Sequence, residues 1–158
     1  MAVAGLLAQY MSIKAQLSYV ELQDTKWNNM ATAMSKKLKE QEALGEKWES
    51  QSDTASKAWE ESGSSLVLNG DTIKSSGYSM GGGIKQGWGN NQAVFARSWA
   101  DAKIPKYDPD KLDEYCDLDM EYSTMVAMYD TLKEELTAQA DGLKETLGTE
   151  AQDTHLLS

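Results

Sequence analysis

The chain contains very little proline. Pro105 and Pro109 are its only prolines, so the 104 residues before them contain none. Proline is the strongest helix breaker, because it lacks a backbone N–H and its ring clashes with the preceding turn. The sequence therefore permits long, uninterrupted helices.

Cysteine and histidine are almost absent. Cys116 is the single cysteine, which excludes an internal disulfide framework and a cysteine-based zinc site. His155 is the single histidine, and no motif for nucleophilic catalysis surrounds it. The glycines from Gly81 to Gly89 lack the order Gly-x-x-x-x-Gly-Lys-Ser/Thr of a phosphate-binding loop. We predict no enzymatic activity, no cofactor, no catalytic metal and no bound nucleotide.

Positive charge is also scarce. The chain has 15 Lys and Arg against 25 Asp and Glu, a net charge of −10. Nucleic acid is therefore not an expected partner, because its binding depends on Lys and Arg that neutralise phosphates. The acidity is uneven: residues 1–60, 61–106 and 107–158 carry net charges of −1, +2 and −11.

Long apolar runs are missing. No uninterrupted run reaches the 18 residues expected of a membrane span, so we predict none. The N-terminus is apolar but has no basic residue before Lys14, unlike a secretory signal peptide. We predict an extracellular protein that is exported without a cleaved leader, with a cytoplasmic location as the alternative.

An apolar heptad pattern fills the first 60 residues. Its a positions are Val3, Tyr10, Leu17, Asp24, Ala31, Leu38, Gly45, Ser52 and Trp59, and its d positions are Leu6, Ile13, Val20, Trp27, Met34, Gln41, Trp48 and Ala55. A period of 3.5 residues is typical of a helix that packs along a partner helix. We predict a helical segment over 3–60. The pattern weakens at Gln41, Gly45 and Ser52, so a bend or a second helix starting near Gly45 is the alternative.

A second heptad pattern fills the last third of the chain. Its a positions are Tyr115, Tyr122, Tyr129, Leu136 and Leu143, its d positions are Leu118, Met125 and Leu132, and the stripe then moves to Ala140 and Leu147. Such a drift is expected of a straight helix with 3.6 residues per turn. Asp108 is placed to cap the helix and Pro109 suits its first position. We predict an acidic helix over 107–157. Five of its acids share one face, interpreted as solvated and not as a cation site: Asp110, Asp113, Glu114, Asp117 and Glu121.

The insert between the repeats, residues 61–106, is rich in glycine. Eight of the twelve glycines lie between residues 62 and 90. Asn69-Gly70 favours a tight type I′ turn, which predicts a short β-hairpin of residues 66–68 and 72–74. Residues 91–103 carry apolar side chains at helical spacing, which predicts a short amphipathic helix.

The five tryptophans permit two interpretations: packing within the chain, or anchoring of a neighbouring subunit or partner. They are Trp27, Trp48, Trp59, Trp88 and Trp99. The residues predicted at assembly or partner contacts are Val3, Leu6, Leu7, Tyr10, Leu17, Trp27, Trp48, Trp59, Trp88, Tyr115, Tyr122, Tyr129, Leu143, Leu156 and Leu157.

Together these patterns predict a mainly α single domain over 1–158. Its long terminal helices are expected to pack as an antiparallel coiled-coil-like hairpin, with the Gly-rich insert between them. Whether the helices pair within one chain or between chains is left open.

Two terminal helical repeats around a divergent centre resemble flagellin and the filament subunits of type III secretion systems. The Val3–Trp59 repeat, the Tyr115–Leu147 repeat and the divergent centre Gly63–Lys106 carry this resemblance. The many tryptophans and the strongly acidic C-terminal helix depart from it. The resemblance implies a self-assembling structural subunit of an extracellular or secretion-related filament, with the terminal helices as the polymer core. The alternative is a soluble helical module that binds other proteins and forms a small oligomer, such as a secretion chaperone, a secreted effector or a phage accessory protein.

Overall fold

The computed structural model describes residues 2–61, 65–68, 71–74 and 91–157, and the side chains of residues 3–61 and 91–151. Most of these residues belong to the helices α1 (Ala2–Glu61), α2 (Gln92–Lys103) and α3 (Pro109–Leu157). The protein is therefore mainly α. Helix α1 passes through Gly45 without interruption, so no second helix begins there.

Two short strands belong to the insert. Strand β1 (Ser65–Leu68) pairs with strand β2 (Asp71–Lys74) in antiparallel register, with Leu66 opposite Ile73. The turn predicted at Asn69-Gly70, the connector Gly81–Gly83 and Trp88 lie outside the described residues.

Side-chain caps define where α2 and α3 begin. The Asp108 carboxylate accepts hydrogen bonds from the backbone N–H groups of Asp110 at 3.0 Å and Lys111 at 3.4 Å. Pro109 occupies the first helical position, where its missing N–H leaves no hydrogen bond unmade. The predicted start of the acidic helix is confirmed. Asn91 caps α2 in the same way, accepting from the N–H of Val94 at 3.2 Å.

The chain divides into two compact units, and α1 and α3 contribute to both. Unit 1 contains Met1–Lys36 and Tyr115–Ser158, and unit 2 contains Lys37–Glu114. None of the described helices is both long enough and apolar enough to cross a membrane.

The core of unit 1 lies between α1 and α3. Leu17, Val20 and Leu136 are buried together, and Ile13, Tyr129 and Leu132 pack against them. All seventeen a and d positions predicted on α1 are buried or half-buried along the helix. On α3 Ala140 is buried and Gln139 is exposed, so the apolar stripe shifts where the 3.6-residue period requires it.

The core of unit 2 holds α2 against the C-terminal half of α1. Ala55, Trp59, Phe95 and Ala96 form a buried cluster, in which the Trp59 and Phe95 ring centroids are 5.1 Å apart. Both packed faces carry alanine, which lets the helix backbones approach closely.

The connection between α2 and α3 contacts α1 where the heptad pattern is weak. The Gln41 side-chain amide donates to the Lys106 carbonyl at 3.3 Å and accepts from the Asp108 N–H at 3.2 Å. A Cβ at Gly45 would lie 3.0 Å from the Tyr107 ring. Two of the residues that weaken the apolar pattern therefore serve this connection, since Gln41 binds its backbone and Gly45 leaves room for Tyr107.

Candidate assembly surface

The a and d positions of α1 form its packed face, which we call the heptad seam. Large apolar side chains outside these positions are exposed on the first turns of α1. The exposed fractions are 46% for Leu7, 63% for Met11, 60% for Tyr19 and 71% for Leu22. Met11, Tyr19 and Leu22 belong to a series of exposed residues that are three or four positions apart. This spacing places the series along one side of the helix. We call this series the outer stripe: Ala4, Ala8, Met11, Ala15, Tyr19 and Leu22.

Few charges accompany the outer stripe. Residues 1–13 contain no charged side chain, and residues 14–22 contain Lys14 and Glu21. Contiguous exposed apolar surface with so little charge is typical of an interaction site.

Helix α3 is strongly acidic. Residues 115–158 contain two Lys against ten acids, whereas residues 1–36 contain three Lys against two acids. The five acids predicted to form a solvated face are all exposed. The acidity of unit 1 is therefore carried by α3, and α1 is nearly neutral.

Two adjoining cavities form a groove between α1 and α3 in unit 1. A cavity of about 560 Å³ is lined by Gln9, Ser12, Ile13, Gln139, Gly142, Leu143 and Thr146. A cavity of about 640 Å³ shares Gln139 and is further lined by Ala15, Gln16, Tyr19, Val20, Leu132, Glu135 and Leu136. We call the two together the side groove.

Burial separates the floor of the side groove from its rim. The floor consists of buried or half-buried apolar residues: Ile13, Val20, Leu132, Leu136 and Leu143. The rim consists of exposed residues, of which Glu135 alone is charged: Gln9, Ser12, Ala15, Gln16, Tyr19, Glu135, Gln139, Gly142 and Thr146. An apolar floor with a rim that carries a single charge suits an apolar partner surface better than an ionic ligand.

A polar cluster interrupts the seam at Asp24, which is 7% exposed. The Asn28 side-chain amide donates to Asp24 Oδ1 at 3.1 Å, and Lys133 Nζ lies 4.0 Å from Asp24 Oδ2. A hydrogen bond with Asp130 raises the pKa of Asp24 above its ordinary value, and burial and the Asp130 charge act in the same direction. Lys133 and Asn28 oppose this rise. The cluster is a carboxyl pair inside a helix seam, and its position suits the setting of helix register more than chemistry.

Trp27 lies in the same seam and has a buried polar atom that is unsatisfied among the described residues. Trp27 packs its ring on Tyr122, with centroids 5.6 Å apart. Its indole Nε1 is buried and has no hydrogen-bond partner among the described residues.

The tryptophans of unit 2 make contacts within the chain. Trp48 Nε1 donates to Asp101 Oδ1 at 2.8 Å, and Trp99 Nε1 donates to Gln51 Oε1 at 3.3 Å. Trp59 is 4% exposed. These three residues hold α2 on α1.

The predicted contact residues differ in exposure. Leu17 and Trp59 are buried, and Leu7 is exposed. The half-buried group consists of Val3, Leu6, Tyr10, Trp27, Trp48, Tyr115, Tyr122, Tyr129 and Leu143. The side chains of Trp88, Leu156 and Leu157 lie outside the described part of the chain. Sequence reasoning missed Met11, Tyr19 and Leu22, because it followed only the heptad seam. A search for a second apolar series at helical spacing would have found them.

Within the described ranges, no group of three or more His, Cys, Asp or Glu residues is placed to hold a metal ion. No protein-family model, curated protein or solved structure matches the chain.

Proposed function

We propose that this protein is a self-assembling structural subunit of an extracellular or secretion-related filament, with its terminal helices in the polymer core. The observation that carries the proposal is the outer stripe. Fully burying an exposed Leu or Met side chain contributes about 1.5–3 kcal/mol, so covering Met11, Tyr19 and Leu22 would drive association.

The contacts of unit 1 support an antiparallel coiled-coil-like hairpin within one chain. Ile13 and Leu143 line the same cavity, Leu17 clusters with Leu136, and Trp27 packs on Tyr122. Residue numbers rise along α1 as they fall along α3. Two paired helices cover only one side of each other, so the opposite side of α1 remains for a neighbouring subunit. The β1–β2 pair would then belong to a hairpin in the insert, which would supply lateral contacts.

The side groove favours a second candidate function, a partner-binding module that forms a small oligomer. An apolar groove between helices is a common receptor for an amphipathic helix of another protein. The two functions differ in the size of the assembly. A filament subunit grows with concentration, whereas a binding module stops at a fixed oligomer.

Sedimentation velocity and electron microscopy over a concentration series test the proposal. We expect polymers that lengthen with concentration. Met11→Glu, which places a charge on the outer stripe, should abolish them. Ala33→Glu is the matched control, because Ala33 is exposed on α1 beyond the stripe. A parent protein that remains one small oligomer at every concentration would favour the binding module.

A further inference from the structure

We propose that the side groove of one copy receives the outer stripe of a second copy. This inference rests on the proposed function and names the surfaces through which subunits join. The two surfaces adjoin on α1, where Ala15 and Tyr19 belong to both.

The groove is about three helical turns long. Its α1 wall extends from Gln9 to Tyr19 and Val20, which corresponds to about 17 Å at 1.5 Å per residue. The outer stripe extends from Ala4 to Leu22 and is longer than the groove. Helices pack with their axes about 8–10 Å apart, and the trough beside a helix pair is where a third helix lies.

Gly142 leaves this part of the rim without a side chain. A glycine inside a helix is less favourable than alanine by about 1 kcal/mol. A Cβ at position 142 would have no atom of the chain within 4 Å, so packing within the chain does not require this glycine. The rim residues Ser12, Ala15 and Thr146 are also small. On the stripe, Ala4 and Ala8 present an equally small surface, which permits close contact.

Charge decides which helix of the second copy enters the groove. The only charged rim residue is Glu135, and the stripe segment carries Lys14 and Glu21, whose charges balance. Residues 1–22 carry no net charge, whereas the 115–158 segment carries two Lys against ten acids. A second α3 in the groove would therefore be repelled by Glu135 and by the acidic α3 that forms the groove wall.

The surface that enters and the surface that receives are different and share only Ala15 and Tyr19, so the contact between two copies is head-to-tail. Head-to-tail contacts of this kind repeat along an open assembly when the rotation between copies does not close a ring. The contact therefore fits a filament.

Filling the groove tests the inference without damaging the fold. Gly142→Leu places a side chain in the groove. Gly148→Leu is the matched control, because Gly148 is exposed on the same helix, has equally open surroundings and does not line the groove. Both changes raise helix propensity, so both variants should melt at or above the temperature of the parent. We expect Gly142→Leu to raise the concentration needed for assembly by about tenfold or more, and Gly148→Leu to change it by less than about twofold.

The outcomes separate this inference from the proposed function. If the parent assembles and the two glycine variants assemble alike, the groove is not the receiving surface, although the subunit function stands. A parent that never assembles removes the proposed function, and this inference with it.

Cross-linking identifies the occupant directly. In a Cys116→Ser background, one preparation carries Ala4→Cys, Ala8→Cys or Met11→Cys, each made separately, and a second preparation carries Gly142→Cys. After mixing and oxidation, at least one stripe position should form a disulfide-linked dimer with position 142, and Gly148→Cys in place of Gly142→Cys should form none. Preferential cross-linking of the Gly142→Cys protein to itself would make α3 the occupant and overturn the inference. Absence of any cross-link in an assembling protein would also overturn it.

Discussion

Replacing Phe95 by alanine tests how α2 is held on α1. Phe95 is 1% exposed and packs in the cluster with Ala55, Trp59 and Ala96. Truncation of a buried phenylalanine to alanine costs about 3–5 kcal/mol, the sum of the lost transfer free energy and the cavity left behind. The surrounding alanines are too short to fill that cavity, so we expect a value in this range.

The loss should be local to unit 2. The seam contacts of unit 1 do not involve Phe95. We therefore expect α2 to open from α1 while residues 2–36 remain helical. The free-energy change corresponds to faster amide exchange at residues 92–103, by a factor of about a hundred to a few thousand.

Hydrogen exchange measured by mass spectrometry, with far-ultraviolet circular dichroism as a check on total helix, gives the readout. Val94→Ala is the control, because Val94 is 37% exposed on the same helix and alanine is the better helix former. This control should leave exchange in α2 nearly unchanged. Unaltered exchange at residues 92–103 in Phe95→Ala, or equal acceleration at residues 2–36, would refute the packing described for unit 2.

Four further predictions concern both units. The pKa of Asp24 in the folded state is raised above its ordinary value of 3.8, so the bound proton stabilises the folded state at low pH. That stabilisation is lost as the pH rises from 3.8 through the raised pKa. Asp24→Asn should therefore flatten the decline in melting temperature over that range and raise the melting temperature at neutral pH. Gly45→Leu should lower the free energy of unfolding by about 1–3 kcal/mol in urea titrations, because its side chain must displace Tyr107. Leu17→Asp and Tyr122→Asp should each cost about 2–4 kcal/mol, and thermal melts like that of the parent would contradict the seam. Calorimetry should detect no tight, stoichiometric binding of zinc or ATP.

Local patterns in the sequence determined the helices. The heptad positions of α1 are all buried or half-buried, and the shift of the α3 stripe to Ala140 follows from the helical period. Asp108 and Pro109 define a helix start through bonds to the next few residues. These features depend on side chains within a few turns of one another, so a single sequence is enough to predict them.

Only the tertiary structure explains the residues that break the apolar heptad pattern. Gln41 and Gly45 weaken the heptad pattern because they receive residues more than 60 positions away in the chain. Asp24 occupies an apolar position because Asn28, Asp130 and Lys133 surround it.

The outer stripe and the side groove also depend on the tertiary structure. Periodicity shows that Met11 and Leu22 lie off the seam, but only packing shows that the described chain leaves them uncovered. The side groove exists because α1 and α3 are paired, and Gly142 belongs to its rim only through that pairing. Helical periodicity is a property of neighbouring residues, whereas a groove and an uncovered face are properties of segments more than a hundred residues apart in the sequence.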